Sequence, residues 1–504
     1  QGNDVYENQE LPVVASDVDC ILLTHAHIDH SGLIPLMYVN GFRGQVYSTS
    51  ATAQLCEIML RDSAHIQMFE AEWRNRKAAR SGGKLKEFVP LYDMDAAVNV
   101  CKQFVGCEYD RVYDIAEGIK IRFTDVGHLL GSASIEVWAT EKTENGDVTE
   151  KIVFSGDIGN INKPIIKDPK HVTDADYVVM ESTYGNRSHG GTPNYVEDLT
   201  NIFKRTFERG GNVVIPSFAV GRTQELLYII RKIKEDNLVG RDFDVYMDSP
   251  LAIEATNIFI KNVESCFDDE AVELVRKGIN PLSFPGLKYA TTGDESKQIN
   301  FDPNPKVIIS SSGMCEAGRI RHHLKHNLWR PECTIVFVGY QAVGTTGRII
   351  VDGAEEIKLF GEPIQIKAEI VQLKGSSGHA DKDGLLCWIN AFDRKPKKVF
   401  VVHGEDSVCD EFTECLKEEY GYDAMAPYTG GSYDLIADRV ISEGVKERKT
   451  RRTTSTQRGK TVFDRLVAAG KRLMTVITHN EGGTNKDLAK FTDQINALCD
   501  KWDR

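Results

Sequence analysis

Between residues 18 and 180, short apolar runs alternate with polar stretches. The runs are "VDCILLT", "GQVYST", "IKIRFTDVG", "ASIEVWAT", "KIVFSGD" and "ADYVVMEST". Each is short and rich in β-branched residues, which predicts buried strands. A long polar segment from Thr52 to about Arg80 predicts a helix, and "ENGD" between two strands predicts an antiparallel hairpin. From about 190 to 366 the style changes. Strands "GNVVIPS", "FDVYMDS", "PKVIISS" and "CTIVFVGY" alternate with helices such as "RTQELLYIIRKIKED", a pattern that predicts a parallel sheet with crossover helices. The first style then returns with "IKAEIVQLKG", "SSGHAD" and "KKVFVVHGE", so the second block reads as an insertion into the first. A Thr-rich segment at 446–460 carries seven Lys or Arg against one acid. After it comes a helical tail with Leu488, Phe491, Ile495 and Leu498 on one face.

Composition narrows the class without naming a substrate. With 504 residues, 41% hydrophobic and 27% charged, the chain is expected to be an ordinary soluble globular protein of two or three domains with a large core, and the alternation of strands and helices makes it α/β. No apolar run approaches a membrane span, and Gln1-Gly2-Asn3 does not begin a signal peptide, so the expectation is a cytoplasmic protein with no membrane partner. The eleven cysteines include no C-x-x-C pair, which fits reduced, mostly buried thiols better than a disulfide scaffold or a Cys-type zinc ribbon and leaves His and Asp to build the metal site. A formal charge of −13 disfavours bulk attraction to nucleic acid but permits a local basic groove.

The densest chemistry is "LLTHAHIDHSGLIP", Leu22 to Pro35. Histidines two apart cannot share a helix face, but in an extended or looped segment they point the same way. The preceding apolar run reads as a strand and Ser31-Gly32 with Pro35 as a helix start, so the histidines are expected on a loop at a strand's C-terminal end. Three imidazoles and a carboxylate suit zinc, and one ion cannot easily use ligands facing both ways from so tight a loop. The motif therefore reads as half of a two-metal site. The remaining ligands are expected at other strand ends, where "TDVGHLLGSAS" offers His128, "VFSGDIG" Asp157 and "VVHGE" His403.

These motifs resemble the β-CASP branch of the metallo-β-lactamase fold, the nucleic-acid-processing nucleases. His25, His27, Asp29, His30, His128, Asp157 and His403 match its metal motifs. "ESTYGNR" with Glu181, "SSGHAD" with His379 and "VVHGE" with His403 match the three motifs peculiar to the branch, and "IPSFAVGRTQELL" resembles its cap. The match runs from Gln1 to about residue 435 and looks closer to the nuclease subunit of the cleavage and polyadenylation specificity factor and its bacterial relatives than to ribonuclease J. No KH-type domain is expected before it, unlike in the archaeal form. The implied architecture is an αββα sandwich at 1–188 and 367–440, a cap of parallel sheet and helices inserted at 189–366, and a basic linker with helical tail at 441–504. Family members carry an aspartate in an early "DCG" motif, commonly followed by "QG". Because this chain starts at Gln1-Gly2, the opening strands and that aspartate are expected to be missing from it.

The resemblance implies two zinc ions per chain. His25, His27 and His128 would bind one and Asp29, His30 and His403 the other, with Asp157 bridging. A hydroxide between the ions would hydrolyse RNA to 5′-phosphate and 3′-hydroxyl ends. His379, assigned no metal, is the expected general acid, oriented by Glu181. The Gly-bearing strand-end loops of the insertion nominate Arg222, Ser311, Ser312, Gly313, Tyr340, Gln341 and Arg348 for contact with single-stranded RNA. His65 reads as a structural helix residue, and His322, His323 and His326 as a solvated face. The tail is expected to serve assembly, as a homodimer, or RNA retention. Two competing readings are a small-molecule thioester or lactone hydrolase of the same fold, which the insertion opposes, and a silent structural subunit, which the full ligand set opposes.

Overall fold

The computed structural model describes residues 11–80, 88–144, 146–188, 190, 194–373, 377–446, 462–482 and 484–502. Most of the basic segment 446–460 lies outside them. The expected strands form, and their direction matters most. In one seven-stranded sheet, Ala424–Met425, Lys398–Val402, Tyr177–Glu181 and Gly146–Phe154 run parallel to their neighbours. Ala133–Thr143, Ile119–Asp125 and Val112–Ala116 continue the sheet antiparallel, Ala133–Thr143 and Gly146–Phe154 being the hairpin announced by "ENGD". Ile119–Asp125 is two antiparallel steps from Gly146–Phe154, so it points the same way. Four strands thus deliver to one edge Glu181, the last residue of its strand, and the segments that follow the other three, with His128, Asp157 and His403.

A second sheet of three parallel strands, Cys20–Leu22, Gln45–Thr49 and Phe104–Cys107, packs beside it. The Thr24 carbonyl accepts the Ala133 N–H at 2.9 Å, which ties the end of the first strand to the larger sheet where the H-x-H motif begins. The long helix is Ser50–Arg80.

The insertion is a six-stranded, all-parallel sheet in the order Leu287–Tyr289, Asp244–Asp248, Lys306–Ser310, Val213–Pro216, Thr334–Val338, Glu369–Leu373. Lys306–Ser310 and Thr334–Val338 are buried at every position, as their unbroken apolar runs require of strands covered on both faces. One expectation needs correction here. Glu369–Leu373, in the run assigned to the returning first domain, pairs with Thr334–Val338, so the chain leaves the cap sheet only after Leu373. A five-residue apolar strand carries no mark of which sheet it will join. The largest apolar cluster spans both parts, with Leu55 and Ile58 of the long helix and Phe259 and Val263 of the cap among its members.

The tail forms two helices, Val462–His479 and Asn485–Trp502, and no described residue of the second is buried. Among the described residues no helix is long and apolar enough to cross a membrane.

Candidate active site

His25 and His27 extend from the first strand, but Asp29 and His30 do not continue the loop as expected. They lie in a helical turn, Ile28–Ser31. The switch from extended to helical backbone turns the second pair of side chains toward a different point from the first. His25 Nε2, His27 Nδ1, His128 Nε2 and Asp157 Oδ2 converge, with separations of 3.1 Å (His25–His27 and His27–His128), 3.3 Å (His25–Asp157) and 3.5 Å (His128–Asp157). His30 Nε2 and His403 Nε2, 3.1 Å apart, stand 3.3 and 3.6 Å from the other oxygen, Asp157 Oδ1. Asp29 Oδ2 lies 3.6 Å from His403 and 4.0 Å from His30. Asp157 therefore gives one oxygen to each cluster, and all seven residues meet.

The donor chemistry fits cations. Four donors at zinc–ligand distances of about 2.0–2.1 Å would stand about 3.3 Å apart at the edges of a tetrahedron, which is the spacing of the first cluster. The His128 Nδ1–H donates to the Gly378 carbonyl at 3.1 Å, which leaves its Nε2 as a lone-pair donor. Burial lowers the pKa of His25 and His128 and takes His27 down to about 3, so these rings stay neutral. Burial opposes the ionisation of Asp157, yet the contacts from His25 and His30 hold its carboxyl well below the usual range. Burial likewise opposes that of Asp29, where His403 and then His30 prevail. Asp157 Oδ1 is buried and accepts no hydrogen bond, an arrangement that calls for a positive charge beside it. His403, with its backbone in the left-handed region at φ 51°, is depressed by burial but raised to about 9 by Asp29, Asp157 and Glu181.

His379 lies beside the first cluster, its Nδ1 3.9 Å from Asp157 Oδ2, without being one of the converging donors. Its Nδ1–H donates to the two oxygens of buried Glu181 at 3.2 and 3.3 Å, and its side chain remains 21% exposed. Glu181 is held in turn by the Ile158 and Thr183 N–H groups at 2.5 and 3.3 Å. Burial alone would depress the His379 pKa, but the Glu181 carboxylate raises it above the ordinary imidazole value. The arrangement orients a charged imidazole with Nε2 free to act on a neighbour.

The nominated RNA residues are not in this cluster. They lie on the loops and helix starts that follow the cap strands, and two of those loops meet at Gly313. Gln341, 3% exposed, donates to the Gly313 carbonyl at 3.1 Å, and Ser311 Oγ donates to Ser249 Oγ at 2.8 Å. Ser312 is half-buried and Tyr340 is 50% exposed. Both nominated arginines are ion-paired. Arg348 Nε reaches both Asp352 oxygens at 2.8 Å, and Arg222 pairs with Glu225. His65 is exposed on the long helix, and His322 and His326 are exposed as expected. His323 is not part of a solvated face. It is fully buried, 2.6 Å from Asp248 and 2.9 Å from Asn300, because the strand end it faces presents a buried carboxylate.

Lys163 was not singled out in the sequence. Its buried ammonium donates to the His128 carbonyl at 3.0 Å and lies 3.2 Å from Glu225 of the cap helix Arg222–Glu235. The same junction requires Gly221. Its φ is 83°, and a Cβ there would lie 3.1 Å from Leu129 Cδ1. No local pattern in "GNINKPI" signals this role, which depends on a partner 62 residues away.

Comparison with known proteins follows the same lines. Residues 223–350 match the model of the Beta-Casp domain, and residues 363–427 that of the Zn-dependent metallo-hydrolase RNA specificity domain. The chain is 34% identical over 390 residues to Ribonuclease TTHA0252 of Thermus thermophilus, covering 77% of this chain and 82% of that protein. It is 31% identical over 401 residues to the RNase J-like protein of Methanocaldococcus jannaschii, covering 79% and 84%. With Transcription termination factor FttA of Methanosarcina mazei it shares 32% over 420 residues. That match covers 82% of this chain but only 62% of the longer factor. These identities do not separate bacterial from archaeal relatives.

Proposed function

The chain belongs to the β-CASP branch of the metallo-β-lactamase nucleases, and from that premise we propose that it is a zinc-dependent ribonuclease with a dinuclear centre, acting on single-stranded RNA. The observation that carries the proposal is the division of Asp157 between two ligand clusters, Oδ2 toward His25, His27 and His128 and Oδ1 toward His30 and His403. Seven ligands exceed what one four-coordinate ion uses. Two bound zinc ions would supply a nucleophilic water at neutral pH and neutralise charge on the attacked phosphate, giving 5′-phosphate and 3′-hydroxyl ends.

The chain's own residues do the rest. Asp157 and Asp29 are ionised and carry the negative charge that holds cations in place. The Gly378 carbonyl fixes the tautomer of His128. His379, oriented by Glu181, gives the proton from Nε2 to the departing 3′-oxygen, a poor leaving group without one. The cap provides the wall against which a polymer is positioned in line with the site. No residue of Asn485–Trp502 is buried, and we place its cover on a second copy of the chain, as a homodimer.

Elemental analysis of undialysed protein is expected to give about two zinc ions per chain, and RNA labelled at either end is expected to yield products with 5′-phosphates. A single tightly bound metal, or equal cleavage of single-stranded DNA of the same sequence, would overturn the reading. Removal of residues from 446 onward is expected to turn a dimer into a monomer in sedimentation.

A further inference from the structure

The arginines nominated to grip the RNA backbone are ion-paired on their own helices, Arg222 with Glu225, which Lys163 shares, and Arg348 with Asp352. What the same loops expose is apolar. Phe218, on the loop after Val213–Pro216, is 46% exposed. Tyr340 and Val343, on the loop after Thr334–Val338, are 50% and 63% exposed. Scattered surface aromatics need no explanation, but these share one place. The loops they stand on meet at Gly313, whose carbonyl receives Gln341, the neighbour of Tyr340. A Cβ on Gly313 would lie 3.1 Å from the Phe218 ring. The Phe218 ring thus rests on a bare backbone with its other surface open.

The place adjoins the metal ligands. Phe218 is three residues before Gly221, which packs on Leu129, the neighbour of His128, and Lys163 bridges the His128 carbonyl to the same cap helix. On the other side of that bridge, the loop carrying Lys163 exposes Ile161 at 65%. A cleft beside a phosphodiesterase centre that offers aromatic and aliphatic surface in place of unpaired arginines is suited to the faces of bases. Every base has a π-face, so such a surface holds single strands with little regard to sequence, and a base paired in a duplex cannot present its face to it.

The geometry points to a base-stacking subsite in which Phe218, with Tyr340 beside it, holds unpaired bases next to the scissile phosphate. This rests on the ribonuclease reading above and adds how the strand is gripped. The test uses the zinc-loaded full chain and a short single-stranded RNA, intact or with one base at a time replaced by a stable abasic spacer. Cleavage gives kcat and KM, and fluorescence anisotropy gives affinity without requiring cleavage.

For the wild type, a spacer at one or two positions is expected to raise KM and weaken binding by about 5- to 150-fold, the range for losing one stacked base, with little change in kcat. Phe218→Ala should weaken intact RNA by a similar factor and make binding indifferent to the spacer at one position, whereas Phe218→Trp should keep both affinity and sensitivity. Unchanged binding by Phe218→Ala, or an equal loss for intact and spacer RNA at every position, overturns the subsite. A wild type that binds and discriminates spacer RNA but cleaves none of it leaves the subsite standing and removes the ribonuclease reading. A folded wild type that ignores the spacers everywhere removes the subsite alone.

Discussion

Replacing His379 by alanine separates proton donation from metal binding. The Nδ1 atom of the ring is hydrogen-bonded to Glu181 and reaches Asp157 only at 3.9 Å, and Glu181 keeps the Ile158 and Thr183 N–H groups when the ring is gone. Loss of one charged hydrogen bond is expected to cost about 1–3 kcal/mol of stability, which leaves the fold and both clusters in place. The rate is another matter. Without a general acid, cleavage should fall by about 10²- to 10⁴-fold, equivalent to about 2.7–5.5 kcal/mol on the barrier. Zinc content and RNA affinity should stay near wild type. A substrate with sulfur in place of the bridging 3′-oxygen supplies the decisive comparison, since a thiolate departs without a proton. Single-turnover rates of wild type and His379→Ala are expected to differ widely on the oxygen RNA and little on the sulfur RNA. Any effect of sulfur on the metals cancels in that ratio. A ratio that persists with sulfur refutes proton donation to the leaving group, and lost zinc would make His379 a ligand.

Other expectations concern groups outside the two clusters. Lys163→Met leaves the His128 carbonyl without its donor and Glu225 with Arg222 alone. A loss of about 3 kcal/mol in urea unfolding, near the low end for breaking a buried pair, together with a rise in KM larger than any fall in kcat, is expected, and Lys163→Arg should restore part of both. Burial raises the Asp125 carboxyl to about 7, against the Gly127 N–H and Lys167. A raised native pKa means that the native state holds the proton more tightly than the unfolded chain, so this stability is present below about pH 4 and is lost as pH climbs to 7, by at most about 1.4 kcal/mol per unit. The stability of Asp125→Asn minus that of wild type should therefore grow over that interval and flatten above it, and a flat difference throughout would count against it.

The parts of the fold legible in the sequence were those where one physical signal decided the outcome. Unbroken β-branched runs marked strands buried on both faces, and a switch from short runs to strand–helix alternation marked the insertion. The H-x-H-x-D-H spacing could announce two directions of ligation, and the helical turn Ile28–Ser31 is how the backbone achieves them. What could not be read depended on partners distant in sequence. Arg222 and Arg348 are the exception, since one helical turn away each has a carboxylate within reach, Glu225 and Asp352. Local charge pairing of this kind could have been anticipated from the i, i+3 and i, i+4 spacing. The burial of His323 and Lys163 could not, because Asp248 and Glu225 meet them only in the folded cap and at its junction.

An acidic protein that cuts a polyanion must manage repulsion, and the site shows where. Asp29, Asp157 and Glu181 crowd the point where a phosphate would lie, and the two nominated arginines, Arg222 and Arg348, are ion-paired elsewhere. Without cations that point repels RNA, and with them it attracts, so zinc and RNA should bind cooperatively. Linkage makes the effect reciprocal: whatever factor zinc adds to RNA affinity, RNA must add to zinc affinity. For a coupling of the usual 1–3 kcal/mol, saturating RNA should tighten zinc by about 5- to 150-fold. The measurement is competition for zinc between the protein and a colorimetric chelator, with and without an RNA made uncleavable at its phosphates. Zinc affinity that is indifferent to an RNA shown to be bound would mean that the strand is held away from the clusters, and that the carboxylates face no phosphate.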